Sequence, residues 1–331
     1  MKPALVPVRQ ERTVMAVYTN ANIFTEDGFI HGGFVIEGNR FGPVFRQECG
    51  CPASGTDRKE ATDLQGAVVI PGLVDVHIHG AADADFSDGD MKGLRRMAAW
   101  LAARGITSFA PASMTLPYDV LAAAYQTGKE LHENRGPQEA RLMGIHMEGP
   151  FFSEKKKGAQ NAAYLRLPDF EAFKALYDGC NGLIRIADVA AELEGAEDFA
   201  GKSSKYCTVS IAHTDASYED ACRIFDAGAT HLTHLFNAMP PLQHRNPGVI
   251  GAAAEREFVI AELICDGLHV HPSVIRAAFR LFPGRICMIS DALRCMGMPD
   301  GEYDLGGQRV FLAGGVARLA DQTIAGAASD L

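Results

Sequence analysis

Six residues of this 331-residue chain have the types and the placement to do chemistry together: His77, His79, Glu148, His213, His234 and Asp291. Each stands at or near the end of a short apolar run, in VVIPGLVDVHIH, LMGIHMEGP, CTVSIAHTD, THLTHLFNA and ICMISDAL. Imidazoles and carboxylates delivered from the C-terminal ends of several strands are what a divalent-metal hydrolase of the (β/α)8 class requires. His77 and His79 are two apart, so in a strand both imidazoles face one side and can share an ion. Glu148, His213 and His234 add a carboxylate and two imidazoles with room for an open position, the make-up of a catalytic zinc-type centre. Asp291, on the last such run, is placed to take a proton from an attacking water and return it to a leaving amine. A helix N-cap is the alternative role for Asp291 in Ser-Asp-Ala-Leu, although its place on the last strand favours catalysis; for Glu148 before Gly149-Pro150 a helix cap fits poorly, because aromatics and not a helix start follow Pro150.

From His79 onward the gaps are 69, 65, 21 and 57 residues. These fit one to three βα units of about 30 residues between ligand-bearing strands. From residue 67 the pattern alternates strand and helix: a strand ending at His79, a helix near 90–104, SFAPAS, a helix after Pro117, LMGIHMEGP, LIRIADVA, CTVSIAH, a helix over 218–227, THLTHLFNA, FVIAELICDGLHV, a helix over 272–282 and ICMISDAL. Eight parallel strands predict an α/β fold of the TIM-barrel type over residues 67–331. A doubly wound sheet would want a Gly-rich phosphate turn after its first strand, which is missing here. Residues 15–66 read as a small β-domain of alternating stretches and turns. Residues 1–14 read as a disordered extension ahead of Met15. After the eighth strand come hairpin pieces near 302–319 and no eighth barrel helix, so the sequence reads as lacking its C-terminal completion.

A second group of residues suits anion and sugar recognition. Asn237 and Ala238 follow the sixth strand, Arg245 lies in the next loop, and His269 closes Asp266-Gly267-Leu268-His269. Arginine offers a planar fork matched to phosphate oxygens, although an ordinary surface cation is the plainer role for Arg245. Gly158-Ala159-Gln160, after three lysines that read as a solvated loop, can bring main-chain donors to a ligand.

Composition bounds the rest. A net charge of −10 argues against a nucleic-acid surface, while a local pocket of Arg and His still admits a small anion. No run is apolar enough to span a membrane. Eight cysteines without a regular framework read as reduced, cytoplasmic thiols, with Cys49-Gly50-Cys51 incidental.

The segments PGLVDVHIHG, HMEGPFFSEKKKGAQN, IAHTDA, THLFNAMPPLQHRNPG, DGLHV, SDAL and DQTIAGA together resemble the N-acetylglucosamine-6-phosphate deacetylases of the amidohydrolase superfamily, over nearly all of residues 15–331. The resemblance implies removal of the acetyl group from N-acetyl-D-glucosamine 6-phosphate by a divalent-metal enzyme, with zinc or iron as one or two ions. It implies metal ligation by Glu148, His213 and His234, with His77 and His79 for a second ion, and Asp291 as base and then acid. It further implies substrate contacts at Ala159, Gln160, Asn237, Ala238, Arg245, Asp266, Gly267, Leu268, His269, Ile324, Ala325 and Gly326. Arg245 and His269 are then the phosphate candidates, and a homodimer is implied in which the arginine crosses to the partner's site. The chain departs from the family's pattern at Gln160, where many members have histidine, and in ending before their last elements. An N-acetylgalactosamine-6-phosphate deacetylase, another amidohydrolase and a non-catalytic remnant are the competing readings.

Overall fold

The computed structural model describes residues 15–49 and 61–331. The expected N-terminal arm, and Gly50 and Cys51 of the Cys-Gly-Cys step, lie outside the described residues. The chain divides into two compact units at Gly72–Leu73.

The first unit is a four-stranded sheet of β1 (Met15–Thr25), β2 (Gly28–Glu37), β3 (Arg40–Arg46) and β4 (Thr62–Val69) in the order β3-β2-β1-β4. Two-residue loops join β1 to β2 and β2 to β3, with Thr25 paired to Gly28 and Glu37 to Arg40. β4 returns parallel to β1. Ala21, Ile23 and Phe34 pack together in one cluster, and Val17, Val35 and Phe45 in another. The run VVIPGLVDVHIH, which reads as one strand, is two. Val68 and Val69 belong to β4, and a new strand begins at Leu73. Pro71, with no N–H for a ladder, and Gly72 after it make the break.

In the second unit the chain runs β5 (Leu73–Ile78), a short hairpin of β6 (Gly80–Ala81) and β7 (Ala84–Asp85), α1 (Met91–Ala103), β8 (Ile106–Pro111), α2 (Tyr118–Glu133), β9 (Arg141–Leu142) and β10 (Ile145–Met147). It continues through α3 (Phe170–Gly179), β11 (Ile184–Val189), α4 (Ala196–Ser203), β12 (Thr208–Ile211), α5 (Tyr218–Ala227) and β13 (His231–Leu232). Then follow α6 (Gly248–Ala254), β14 (Ile260–Ile264), α7 (Pro272–Leu281), β15 (Ile286–Ile289) and a meander of β16 (Gly301–Leu305), β17 (Gln308–Ala313) and β18 (Val316–Leu319). The helices have local causes. Asp90 caps α1 by accepting from the N–H groups of Lys92 and Gly93, and Leu94, Met97, Ala98 and Leu101 make its buried stripe. Ser217 and Asp220 form a reciprocal capping box on α5.

β10 to β15 form one parallel sheet in sequence order, and β5-β8-β9 a second. Main-chain bonds connect the two: Ala112 bridges to His146 on one side. On the other, His79 donates to the Ala292 carbonyl at 2.9 Å and Asp291 to the His77 carbonyl at 2.9 Å. This is an α/β fold with curled parallel strands, wrapped by its helices. β11 is buried along most of its length, all but Arg185 of its six residues, as a parallel strand covered on both faces should be. Two strands are shorter than their apolar runs: the sixth keeps only His231 and Leu232, and the seventh stops at Ile264. Beyond it Asp266 turns the chain by accepting from the N–H groups of Leu268 and His269. No helix among the described residues is long and apolar enough to cross a membrane.

Candidate active site

Every candidate ligand stands at or just past the C-terminal end of a parallel strand. His77 is in β5 and His79 one residue beyond it, Glu148 follows β10, and His213, His234 and Asp291 each lie two residues past β12, β13 and β15. Those last three are non-glycine residues in the left-handed region, at φ 43°, 31° and 50°. The ladder ends where the backbone turns over to aim these side chains inward. Such conformations cost energy and gather where function over-determines them.

The side chains converge on Glu148, which is buried. Its Oε1 is 3.1 Å from His213 Nε2, 3.3 Å from His234 Nε2 and 3.6 Å from His77 Nε2. Its Oε2 is 3.2 Å from His79 Nε2. Asp291 Oδ1 closes the group at 3.3 Å from His79 Nε2 and 3.5 Å from His77 Nε2. Glu148 with His213 and His234, and Glu148 with His77 and His79, are two donor sets whose ligand atoms lie within 4.8 Å of one another.

The donor set fits a divalent cation. His213 donates from Nδ1 to the Lys156 carbonyl at 2.8 Å, so Nε2 is the atom turned to the site. His213 Nε2 and His234 Nε2 face each other at 3.1 Å, and His77 Nε2 is buried without a hydrogen-bond partner. Electron-rich atoms packed this closely need positive charge between them, either as protons or as an ion. Protons supply it when no ion is bound, because the carboxylates favour the charged imidazoles. Burial opposes the charged form of His234, but Glu148 overcomes it and raises the imidazole to about 9. His79, likewise opposed by burial, is raised well above its ordinary value by Glu148 and Asp291. Glu148 and Asp291 are in turn held below the usual carboxylate range by the imidazoles around them, against the effect of burial. A cation taking these nitrogens displaces their protons.

The cleft above this cluster is lined by His79, Glu148, His213, His234 and Asp291, and by the expected Ala159, Gln160, Asn237, Ala238, His269, Ile324, Ala325 and Gly326. Gln160 is buried and fixed at both ends, accepting from the Thr115 N–H at 2.7 Å and donating to Glu148 Oε2 at 2.7 Å. It therefore orients the carboxylate. Asp266 does not line the cleft; it binds His269 Nδ1 at 2.7 Å and leaves Nε2 of that ring for a ligand. Gly267 and Leu268 form the turn between them and also stay off the wall. His77 lies beneath the cleft, fully buried. Arg245 is exposed on its loop, beside His244 Nε2 at 2.7 Å, and does not reach the cleft of its own chain.

Sequence reasoning missed two sets of residues. Met114, Leu305 and Thr323 complete the wall, and nothing in the hairpin pattern marks them. Below the ligands lies a buried polar layer of Glu262, His146, Asp188 and His231. Burial works against Glu262's charge, but His77 and His146 lower it to about 2. Its signal was available: a carboxylate inside the apolar run IAELI has no water to face and needs partners.

Ile324 and Ala325 pair with β18, and Ala327 pairs with the Asp291 segment, its N–H donating to the Asp291 carbonyl at 2.9 Å. Gly326 has φ 116°, and a Cβ there would stand 2.9 Å from that carbonyl oxygen. Gly326→Ala is expected to displace Asp291. Turnover should fall on the order of 10- to 100-fold, and backbone strain should lower the melting midpoint by the equivalent of about 1–3 kcal/mol. Unchanged kinetics would remove Gly326 from the account of how Asp291 is held.

A curled α/β unit with histidines and a glutamate gathered at its strand ends defines a class, that of metal-dependent hydrolases. Residues 68–294 match the amidohydrolase family, whose members are metal-dependent, and the chain belongs to that family. It is 37% identical over 310 residues to the N-acetylglucosamine-6-phosphate deacetylase of Bacillus subtilis (strain 168), across 92% of this chain and 77% of that protein. The N-acetylgalactosamine-6-phosphate deacetylase of Escherichia coli O157:H7 is 33% identical, across 80% of this chain and 70% of that one. Among solved structures, a mutant N-acetyl-D-glucosamine-6-phosphate deacetylase from Mycobacterium smegmatis in complex with N-acetyl-D-glucosamine-6-phosphate superposes with a TM-score of 0.88 at 31% identity. That match covers 96% of this chain and 81% of the other.

Proposed function

We propose that this protein hydrolyses the acetamide of N-acetyl-D-glucosamine 6-phosphate to D-glucosamine 6-phosphate and acetate. The observation that carries this reading is the convergence of Glu148, His213 and His234 within ligand distance, with Asp291 beside them at the floor of one cleft. We read the parallel strands as the eight of a (β/α)8 barrel, with β9 and β10 as two parts of one strand. The main-chain bonds from His79 and Asp291 across to the opposite strand end support that closure.

Zinc or iron, as one ion on Glu148, His213 and His234 or as two with His77 and His79 added, would polarise the acetyl carbonyl and acidify a water. The protein's own groups do the rest. Glu148 and the imidazoles fix where the carbonyl oxygen points. Asp291, ionised at neutral pH, accepts the proton of the attacking water at Oδ1. It then donates that proton to the sugar nitrogen as the C–N bond breaks. Ile324, Ala325 and Gly326 hold one side of the sugar, and Asn237 and Ala238 the other. Ala159 lines the cleft near the acetyl group, and Gln160 holds Glu148 in place beneath it.

His269, oriented by Asp266, and Arg245 bind the 6-phosphate, the arginine acting in the cleft of a second copy of the chain. A homodimer accounts for the exposure of Arg245, three residues along the chain from Leu242 of a groove also lined by Phe236, Met239, Val274 and Leu281. Only Ala278 of α7 is buried, so most of that helix awaits a cover. The seven described cysteines are all free thiols, which supports a cytoplasmic setting.

Acetate release from the metal-loaded protein tests the reading. N-acetyl-D-glucosamine 6-phosphate is expected to be the best substrate. Faster turnover of the galactosamine epimer would move the assignment to that sugar, as the E. coli relative's name allows. Arg245→Ala is expected to lower kcat/KM for the phosphorylated sugar at least about tenfold, or about 1.4 kcal/mol, and to leave unphosphorylated N-acetylglucosamine unaffected. An equal loss on both sugars would remove Arg245 from phosphate recognition.

A further inference from the structure

Outside the ligand set, the structure's least expected feature is the buried polar layer beneath it. Glu262 is fully buried in β14. Its Oε2 accepts from His77 Nδ1 at 2.9 Å and from the His234 N–H at 3.3 Å. One carboxylate oxygen thus ties together two histidines that reach the site from β5 and from the turn after β13. On its other side, Glu262 Oε1 is 3.6 Å from His146 Nδ1 and 3.8 Å from His231 Nε2. His146 is itself braced between the Val76 carbonyl at 3.2 Å and Asp188 Oδ1 at 3.0 Å. Asp188 accepts from Thr233 at 2.9 Å, and Thr233 meets Ser210, which meets His231.

His77, His146 and Glu262 also satisfy the spacing of a metal site, but their contacts are those of a hydrogen-bond network. His146 Nδ1 faces a carbonyl, which only an N–H satisfies, and 2.9 Å between His77 Nδ1 and Glu262 is a hydrogen-bond distance.

We propose that Glu262 is the positioning residue of the metal centre: by accepting the hydrogen bond of the His77 Nδ1–H it fixes that ring's tautomer, so that the Nε2 lone pair points at Glu148 and Asp291. The orphaned state of His77 Nε2 follows directly. The bond to the His234 N–H extends the same control to the strained turn that carries a second ligand. Carboxylates that hold a ligating histidine in this way raise its basicity, and their loss costs about 10- to 100-fold in metal affinity or activity.

The inference rests on the metal centre proposed above, and its test separates the two. Glu262→Gln keeps the shape but replaces one oxygen with an amide nitrogen. The variant is expected to bind zinc or cobalt about 10- to 100-fold more weakly by chelator competition, and the visible spectrum of its cobalt form should change. Its melting midpoint without metal should stay near the parent's. Equal affinity and an unchanged cobalt spectrum would overturn the proposal. If neither protein binds a metal, the metal centre itself fails. Nitrogen-15 NMR of histidine-labelled parent protein gives an answer even if the variant does not fold. His77 should carry its proton on Nδ1, shifted far downfield, with Nε2 unprotonated once zinc is bound. A proton on Nε2 and none on Nδ1 in the zinc form would overturn the proposal.

Discussion

Asp291→Asn is expected to lower kcat by about 10²- to 10⁴-fold while KM and bound metal stay close to the parent's. The substitution is nearly isosteric, and asparagine tolerates the left-handed backbone that the position requires, φ 50°. What it removes is the ability to take a proton. In the parent, Asp291 Oδ1 lies 3.3 Å from His79 Nε2, at the edge of the cluster where a water would attack. The neighbouring imidazoles hold the carboxyl ionised against the effect of burial. An amide in its place can orient a water but accepts no proton from it. Acetate release under saturating substrate, with metal content measured on the same samples, checks this. A kcat within tenfold of the parent would show that another group moves the proton.

Glu148→Ala is expected to have the largest effect on metal binding. Glu148 is common to both donor sets, and it is the carboxylate nearest His213 and His234. Removing it leaves four imidazoles facing one another, with Asp291 the carboxylate that remains beside the Nε2 atoms of His77 and His79, and a vacated volume against Gln160. Affinity for zinc should drop by more than about a hundredfold, beyond the loss expected for an outer partner of a ligand. A melt with and without metal reads this directly. At a metal concentration of about 100 times its Kd, the parent gains about 2.7 kcal/mol, whereas the variant should gain almost nothing. An equal shift in both proteins would place the ion elsewhere.

The candidate ligands were legible in the sequence because each stands at or just past a strand end. Each ligand follows an apolar run, and the runs recur at intervals that βα units explain. Where the runs stop being strands was harder to read. THLTHLFNA and FVIAELICDGLHV carry apolar residues well past Leu232 and Ile264, where their strands end. In the first case the chain turns to aim His234. In the second, Asp266 captures the next N–H groups with its side chain. Apolar character records burial, and turns at the mouth of a parallel sheet are buried as well. Helices α3, α4 and α6 left a weak trace for another reason. α4 has eight residues and α6 seven, the latter mostly glycine and alanine, too short for a clear period. Glu262 and Asp188 stand inside apolar runs, which marks them as needing partners, but the partners come from distant strands that the sequence does not name. Arg245 was legible as a cation, but it does not line the cleft of its own chain.

His213, His234 and Asp291 all hold their backbones where side chains with a Cβ are uncomfortable, at φ 43°, 31° and 50°. Each such residue costs about 1–2 kcal/mol, and together they amount to a sizeable share of the roughly 5–15 kcal/mol by which a domain stays folded. Heat tolerance and turnover therefore pull against each other at these positions. Laboratory evolution for survival at high temperature alone should collect glycine or asparagine there, yielding hardier proteins that no longer release acetate.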